Sequence, residues 1–207
     1  MGQVLALDAL IQARQIWHGR AAPLPDSSQP TGWHELDAAL PAGGWPEHAL
    51  TEILLPADGV GELQLVLPTL ARLTCASRSV MVIAPPYLPY VAGWEARGVV
   101  MSRVDIVQAS ERDVLWAAEQ CLRSGSCAAV LAWPMHADDR ALRRLQVAAD
   151  TGKALAFVFR DRRHAAQASP AALRLELESE PSLRVRVRKC RGGNPPAGTA
   201  PLVAGWS

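Results

Sequence analysis

A chain of 207 residues, 49% apolar and 20% charged, can bury the core of one globular α/β domain, and no apolar run in it nears the ~20 residues that a membrane span requires. Its four cysteines, Cys75, Cys121, Cys127 and Cys190, form no C-x-x-C pair, and its five histidines show no ligand spacing, so neither a disulfide framework nor a metal site is indicated and no cofactor is expected. The net charge of +1 is unevenly divided: 8 basic and 13 acidic side chains over residues 1–137, against 13 and 7 over 138–207, which gives the second half a basic face able to meet nucleic acid, an acidic protein or only solvent.

Val4, Leu5, Leu7, Leu10, Ile11 and Trp17 recur at helical spacing, so an amphipathic helix is predicted before Gly19, followed by a linker rich in Ala, Pro and Ser up to Pro30. Such an arm packs on its own domain or docks on a neighbour. The polar residues interspersed at its start do not form a signal peptide, and a cytoplasmic location is expected. From residue 31 to 191 one core domain is predicted. Strands at 50–55, 79–84, 104–107, 127–132 and 154–159 alternate with helices at 33–40, 62–76, 88–97, 111–124 and 138–151. Continuous apolar runs such as 79–84 and 127–132 suit strands covered on both faces, hence a largely parallel sheet. Gly125 and Gly152 read as helix stops and Pro68 as a kink within its helix. Cys121 and Cys127 read as small buried hydrophobes, and Trp94, Trp116 and Trp133 as core or rim packing.

After residue 170 the period changes to two. Leu173, Leu175, Leu177, Leu183, Val185 and Val187 form the inner face of an antiparallel hairpin, with Glu176 and Glu178 opposite Arg184 and Arg186. Residues 192–207, with four glycines and three prolines, read as a disordered tail whose apolar end, Pro201 to Trp206, is a candidate linear anchor for a partner through Leu202 and Trp206.

The apolar strand at 50–55 runs into Pro56, Ala57, Asp58, Gly59, Val60, Gly61, Glu62 and Leu63, at the place where a phosphate-binding loop would carry G-x-x-x-x-G-K-[ST]. Lysine and hydroxyl are replaced by Glu62 and Leu63, and Asp58 adds a further negative charge that opposes phosphate. The stretch from Thr31 to Pro46, with its T-G, L-D, A-L and G-G-x-P elements, resembles the lead-in to the core of the RecA recombinase family, and the likeness extends over 31–191. It implies a RecA-like P-loop NTPase core whose active positions have been lost: Glu62 for the lysine, Pro86 for the catalytic glutamate and Trp133 for the metal-binding aspartate. ATP turnover is therefore not expected.

Within that superfamily the phrases around 61–73, 84–90 and 122–134 resemble the ImuA proteins of bacterial translesion synthesis, and the SulA cell-division inhibitors share an echo of all three. The ImuA resemblance implies a non-enzymatic adaptor in SOS-induced, error-prone translesion DNA synthesis, partnered by an ImuB-like Y-family homologue, a DnaE-type error-prone polymerase and RecA. The Thr31–Pro46 lead-in and the tail from Arg191 favour the ImuA reading; the alternative, the SulA resemblance, implies an inhibitor that binds the tubulin homologue FtsZ. By the RecA likeness, Lys189 and Arg191 fall where filament subunits reach a neighbour's nucleotide, which makes them candidate partner contacts. The short patch Arg160, Arg162 and Arg163 is a candidate for weak DNA contact.

Overall fold

A computed structural model describes residues 26–179 and 182–201; the predicted N-terminal helix and the candidate anchor residues Leu202 and Trp206 lie outside them. Eight strands form one sheet: β1 (Leu50–Leu55), β2 (Val80–Ile83), β3 (Val104–Val107), β4 (Ala129–Ala132), β5 (Leu155–Asp161), β6 (Leu173–Glu178), β7 (Arg184–Cys190) and β8 (Ala200–Pro201). Their spatial order is β3-β2-β4-β5-β1-β6-β7-β8. The strands from β3 through β6 in that order are parallel, and β7 and β8 complete an antiparallel edge. The sheet is thus mixed α/β and mostly parallel, with the C-terminal hairpin at one side, as the change of hydrophobic period predicts.

Helices cover both faces. α1 (His34–Ala39), α2 (Glu62–Cys75) and α3 (Val91–Glu95) lie on one side, where Leu36, Leu65, Leu70 and Trp94 pack with Ile53, Leu131 and Phe157. α4 (Val114–Arg123) and α5 (Asp139–Gly152) lie on the other, where Val114, Leu122, Leu142 and Leu145 pack with Val130 and Val158. Strands caught between the two layers are apolar on both faces, which is why their sequences do not alternate.

Several expectations are corrected. α2 continues through Pro68 over Glu62–Cys75, and a Cβ at Gly32 would stand 2.4 Å from the Pro68 Cβ, so the proline ring packs on bare backbone there. Gly152 does not stop α5 by adopting a left-handed conformation. It is the last residue of the helix, Lys153 takes φ 54°, and a Cβ at Gly152 would meet the Leu122 carbonyl oxygen at 1.7 Å; this glycine lets α4 and α5 approach. The helix expected over 88–97 shrinks to Val91–Glu95: Pro89 disfavours the helical region at Leu88, and Tyr90 ahead of the helix is extended at φ −75° and ψ 97°. Trp94 and Trp133 are buried, whereas Trp116 is exposed on α4.

The packed region exceeds 31–191 at both ends. Ser27 donates from its Oγ to the Trp45 carbonyl at 2.6 Å, and the Trp45 amide donates to the Gln29 carbonyl at 2.8 Å, so the end of the linker is part of the fold. The segment expected to be a disordered tail supplies β8, and Arg184 Nε donates to Thr199 Oγ1 at 2.7 Å. Across the hairpin Glu176 and Glu178 stand opposite Arg186 and Arg184 as expected, while the ion pairs close on the diagonal, as Arg186–Glu178 at 2.8 Å and Arg188–Glu176 at 3.3 Å.

Glu52, in the middle of β1, is fully buried. Its Oε1 accepts from Arg160 Nη1 on β5 at 2.5 Å and its Oε2 from Arg174 Nε on β6 at 2.6 Å. The Arg174 guanidinium also donates to the carbonyls of His164, Ala165 and Gln167, which fastens the segment between β5 and β6 to the sheet. Burial alone would raise the Glu52 carboxyl, but hydrogen bonding from Ser169 and the Arg174 and Arg160 guanidiniums outweighs it and holds the group below the ordinary glutamate range. Because the folded carboxyl is depressed, its contribution is present above the unfolded glutamate pKa of about 4.3 and is lost as pH falls through the lower folded value.

Glu52→Ala strands two buried guanidiniums and is expected to lower unfolding free energy by about 3–5 kcal/mol, measured by urea denaturation at pH 7. Replacing Glu52, Arg160 and Arg174 together by apolar residues should recover much of that loss. A single variant within 1 kcal/mol of wild type, in round terms, would contradict the assignment.

Candidate functional site

β1 ends at Leu55 and the chain turns through Pro56–Gly61 into α2, with Gly59 at φ 78° and Gly61 at φ 97°. Only glycine takes these left-handed conformations without strain, and they turn the loop tightly above the C-terminal end of the sheet. The Glu62 side chain is buried, and its Oε1 accepts from the Gly59 amide at 3.2 Å. A loop amide that would face a phosphate is therefore engaged by the chain's own carboxylate. Glu62 opposes an anion by its charge and also occupies a donor the anion would need.

Trp133, at the end of β4, stacks on Phe159 of β5 with ring centroids 4.3 Å apart and planes 14° from parallel. An aromatic ring stands where the sequence comparison seeks a metal-binding carboxylate, and neither it nor Pro86 provides an oxygen ligand. Among the described residues no group of three His, Cys, Asp or Glu side chains could hold a metal ion. The Glu62 carboxylate, the Trp133 ring and Pro86 all lie at this end of the sheet, and Pro86 and Trp133 line two adjoining cavities of about 410 and 280 Å³.

Lys189 and Arg191 are at the other end. Leu173 at the start of β6 pairs with Cys190 at the end of β7, so both basic residues lie beside the N-terminal ends of the parallel strands. Lys189 Nζ donates to the Ser169 carbonyl at 2.7 Å, and its pKa is lowered by partial burial and then by neighbouring Arg174 and Arg191. Arg191 is exposed and lines an apolar cavity of about 370 Å³ with Trp45 and Leu173.

The arginine patch divides. Arg162 and Arg163 are exposed, but Arg160 is buried in the Glu52 cluster and does not reach a phosphate backbone. This corrects its candidacy for DNA contact. The broader basic face is largely consumed: Arg143, Arg144, Lys153, Arg186 and Arg188 all have carboxylate partners. Burial pushes the Cys127 thiol up to about 11, so it stays protonated and unreactive.

Residues 85–91 entered the sequence reading only as a family phrase, not as a surface, and they carry the exposed side chains Tyr87, Leu88, Tyr90 and Val91. Their signal was the sequence itself, two aromatic rings and a leucine among three prolines in a segment too proline-rich for a helix.

Comparison with known proteins gives one family. The model of the SulA family, described as cell division inhibitor SulA, matches residues 49–156. A solved structure, "Crystal structure of SulA from Pseudomonas aeruginosa", is 26% identical, with the match covering 53% of this chain and 96% of that one at a TM-score of 0.45. No curated protein matches.

ATP is expected to give no calorimetric signal at micromolar concentration, and Glu62→Lys should not restore phosphate release, because Pro86 and Trp133 remain. The same variant exchanges a buried acceptor for a cation beside the Gly59 amide and should cost about 1–3 kcal/mol in thermal or chemical unfolding. Micromolar ATP binding by wild type would overturn the reading of Glu62 as an occupant of the loop.

Proposed function

The chain belongs to the SulA family of cell division inhibitors, and from that premise we propose that it is a non-enzymatic, SOS-associated effector that works by docking on a partner protein. The observation that carries this reading is the Glu62 carboxylate on the Gly59 amide. Open parallel sheets bind small ligands above the C-terminal ends of their strands; here the chain's own side chains take up that place. The resulting surface is preformed and needs no nucleotide to order it. In the division-inhibitor reading its target is FtsZ.

A second reading is favoured by what lies outside residues 49–156. Trp33, Leu36 and Trp45 precede that span and are buried in the same core, while β6, β7 and β8 follow it in the same sheet. These additions provide further surfaces to an adaptor of ImuA type, with a degenerate RecA-like P-loop NTPase core, in error-prone translesion synthesis. Its partners would be an ImuB-like Y-family homologue, a DnaE-type polymerase and RecA. Lys189 and Arg191 would then serve a protein contact at the far end of the sheet, and Arg162 and Arg163 a weak phosphate contact.

Induced expression in dividing bacteria is expected to produce filaments if FtsZ is the target, with relief by an FtsZ variant that no longer binds the protein. Cells of normal length, together with recovery of a Y-family homologue on affinity purification from DNA-damaged cells, would overturn the division-inhibitor reading in favour of the adaptor.

A further inference from the structure

β8 runs antiparallel to β7, with Ala200 opposite Val185 and Pro201 opposite Arg184, and so points the same way as β6 and β1. The chain beyond Pro201 therefore leaves the sheet at the C-terminal ends of the parallel strands, the end where Pro56–Gly61 turns into α2. Its exit is held in place: Arg184 Nε donates to Thr199 Oγ1 at 2.7 Å and Nη2 to the Thr199 carbonyl at 3.3 Å, and β8 packs on α1. One further step of the same ladder sets Leu202 against Leu183.

A row of half-buried apolar side chains leads on from there. Ala200, Leu183, Leu63 and Val60 all pack on the core at the α1–α2 face while staying partly exposed. Leu183 reaches the loop: a Cβ at Gly61 would stand 3.4 Å from its Cδ2. Gly61 and Leu63 in turn line the 280 Å³ cavity, with Leu67, Pro86 and Trp94 among its apolar walls. Tyr87, Leu88 and Tyr90 also line it and are 67, 74 and 76% exposed.

Connectivity selects the occupant. Leu202, Val203, Ala204, Gly205 and Trp206 carry no charged side chain, which suits apolar walls. An extended chain spans at most about 3.3–3.6 Å per residue, so the Trp206 Cα stays within roughly 18 Å of Pro201, and Leu183, next to the residue opposite Pro201, already touches the lining residue Gly61. A segment tethered this closely meets the cavity at an effective concentration on the order of mM, which a second copy or a separate protein reaches only at comparable concentration. Burial of one tryptophan ring is then enough to hold it.

We propose that residues 202–206 fold back over the C-terminal end of the sheet and seat Trp206 in this cavity, so that the chain carries its own cover for the surface of Tyr87, Leu88 and Tyr90. The regulatory consequence rests on the protein-docking reading above: a partner that docks on this end has to displace the tail.

The test uses the full ¹⁵N-labelled chain and a soluble gadolinium chelate, which broadens the resonances of exposed groups. The Trp206 indole cross-peak, identified by its absence in Trp206→Ala, is expected to persist at a chelate concentration that erases the cross-peak of Trp116, whose ring is exposed on α4. In Tyr87→Asp/Leu88→Asp, both at exposed positions, Trp206 should be erased together with Trp116 while the buried indoles keep their shifts. Erasure of Trp206 in wild type overturns the seat. Protection that survives the double substitution overturns it too, by placing the ring elsewhere, as does protection that fades on dilution, by placing the ring on a second copy.

Purified FtsZ and an ImuB-like homologue probe the regulation. Whichever of them wild type binds should bind Trp206→Ala about two- to tenfold more tightly, the factor by which tail occupancy lowers the competent population. Equal affinity overturns the tail as a regulator. If wild type binds neither protein while Trp206 remains protected, the seat stands and the docking reading fails.

Discussion

The Glu52 carboxylate, held between Arg160 and Arg174, is the constraint on which the rest of the sheet depends. Glu52 lies on the central strand β1, pairing with Val158 of β5 on one side and Arg174 of β6 on the other, so one side chain ties β1 to arginines 108 and 122 residues further along the chain on two other strands. A charge in that position does not gain stability over a well-packed apolar trio. What it adds is register: any slip of β6 by one residue turns Arg174 away from Glu52 and leaves a buried carboxylate half-paired, which penalises alternative pairings far more than a slipped leucine would. This matters for a hairpin whose alternating pattern of charged and apolar residues could otherwise pair in several registers.

The same cluster decides what counts as the domain. The family match ends at residue 156, inside β5, yet both bases of the cluster come after that point. Glu52 without them would be an unpaired buried charge, so the segment from 157 to 190 is structurally obligatory in this chain and not an appended module. At the opposite side of the sheet order, β3 and β2 lie wholly within the matched span.

The two ends of the sheet have opposite characters. At the N-terminal ends of the parallel strands, Lys189 and Arg191 are basic and hydrogen-bonded into the fold through Ser169 and Ala172. At the C-terminal ends stand Pro86, the Trp133 ring and the buried Glu62 carboxylate. A buried carboxylate on the loop amide and apolar rings beside it make this end unsuited to an anion, whereas the opposite end presents cations.

Sequence reasoning reached the strands because buried parallel strands are continuous apolar runs, and the bounds of β1 and β3 match residue for residue. It also drew attention to Glu62, Pro86 and Trp133, which the structure brings to one end of the sheet. It could not reach the partners of buried charges. Glu52 in an otherwise apolar strand and Arg160 directly after Phe159 were visible anomalies, but Arg160 in isolation reads like its exposed neighbours Arg162 and Arg163. Only the pairing of β1 with β5 separates them. Gly152 ends α5 as expected, but its role was not legible for a related reason: a glycine at a helix end serves equally as a left-handed cap or as a contact without a side chain, and the choice is made by Leu122 on another helix. Local signals thus specified where elements form, while the chemistry of each polar residue was set by what the topology brings beside it. Trp133 is the sharpest instance: its ring is stacked on Phe159 within the fold, while its buried indole N–H has no hydrogen-bond partner among the described residues, and neither fact could be read from the residue's place in the sequence.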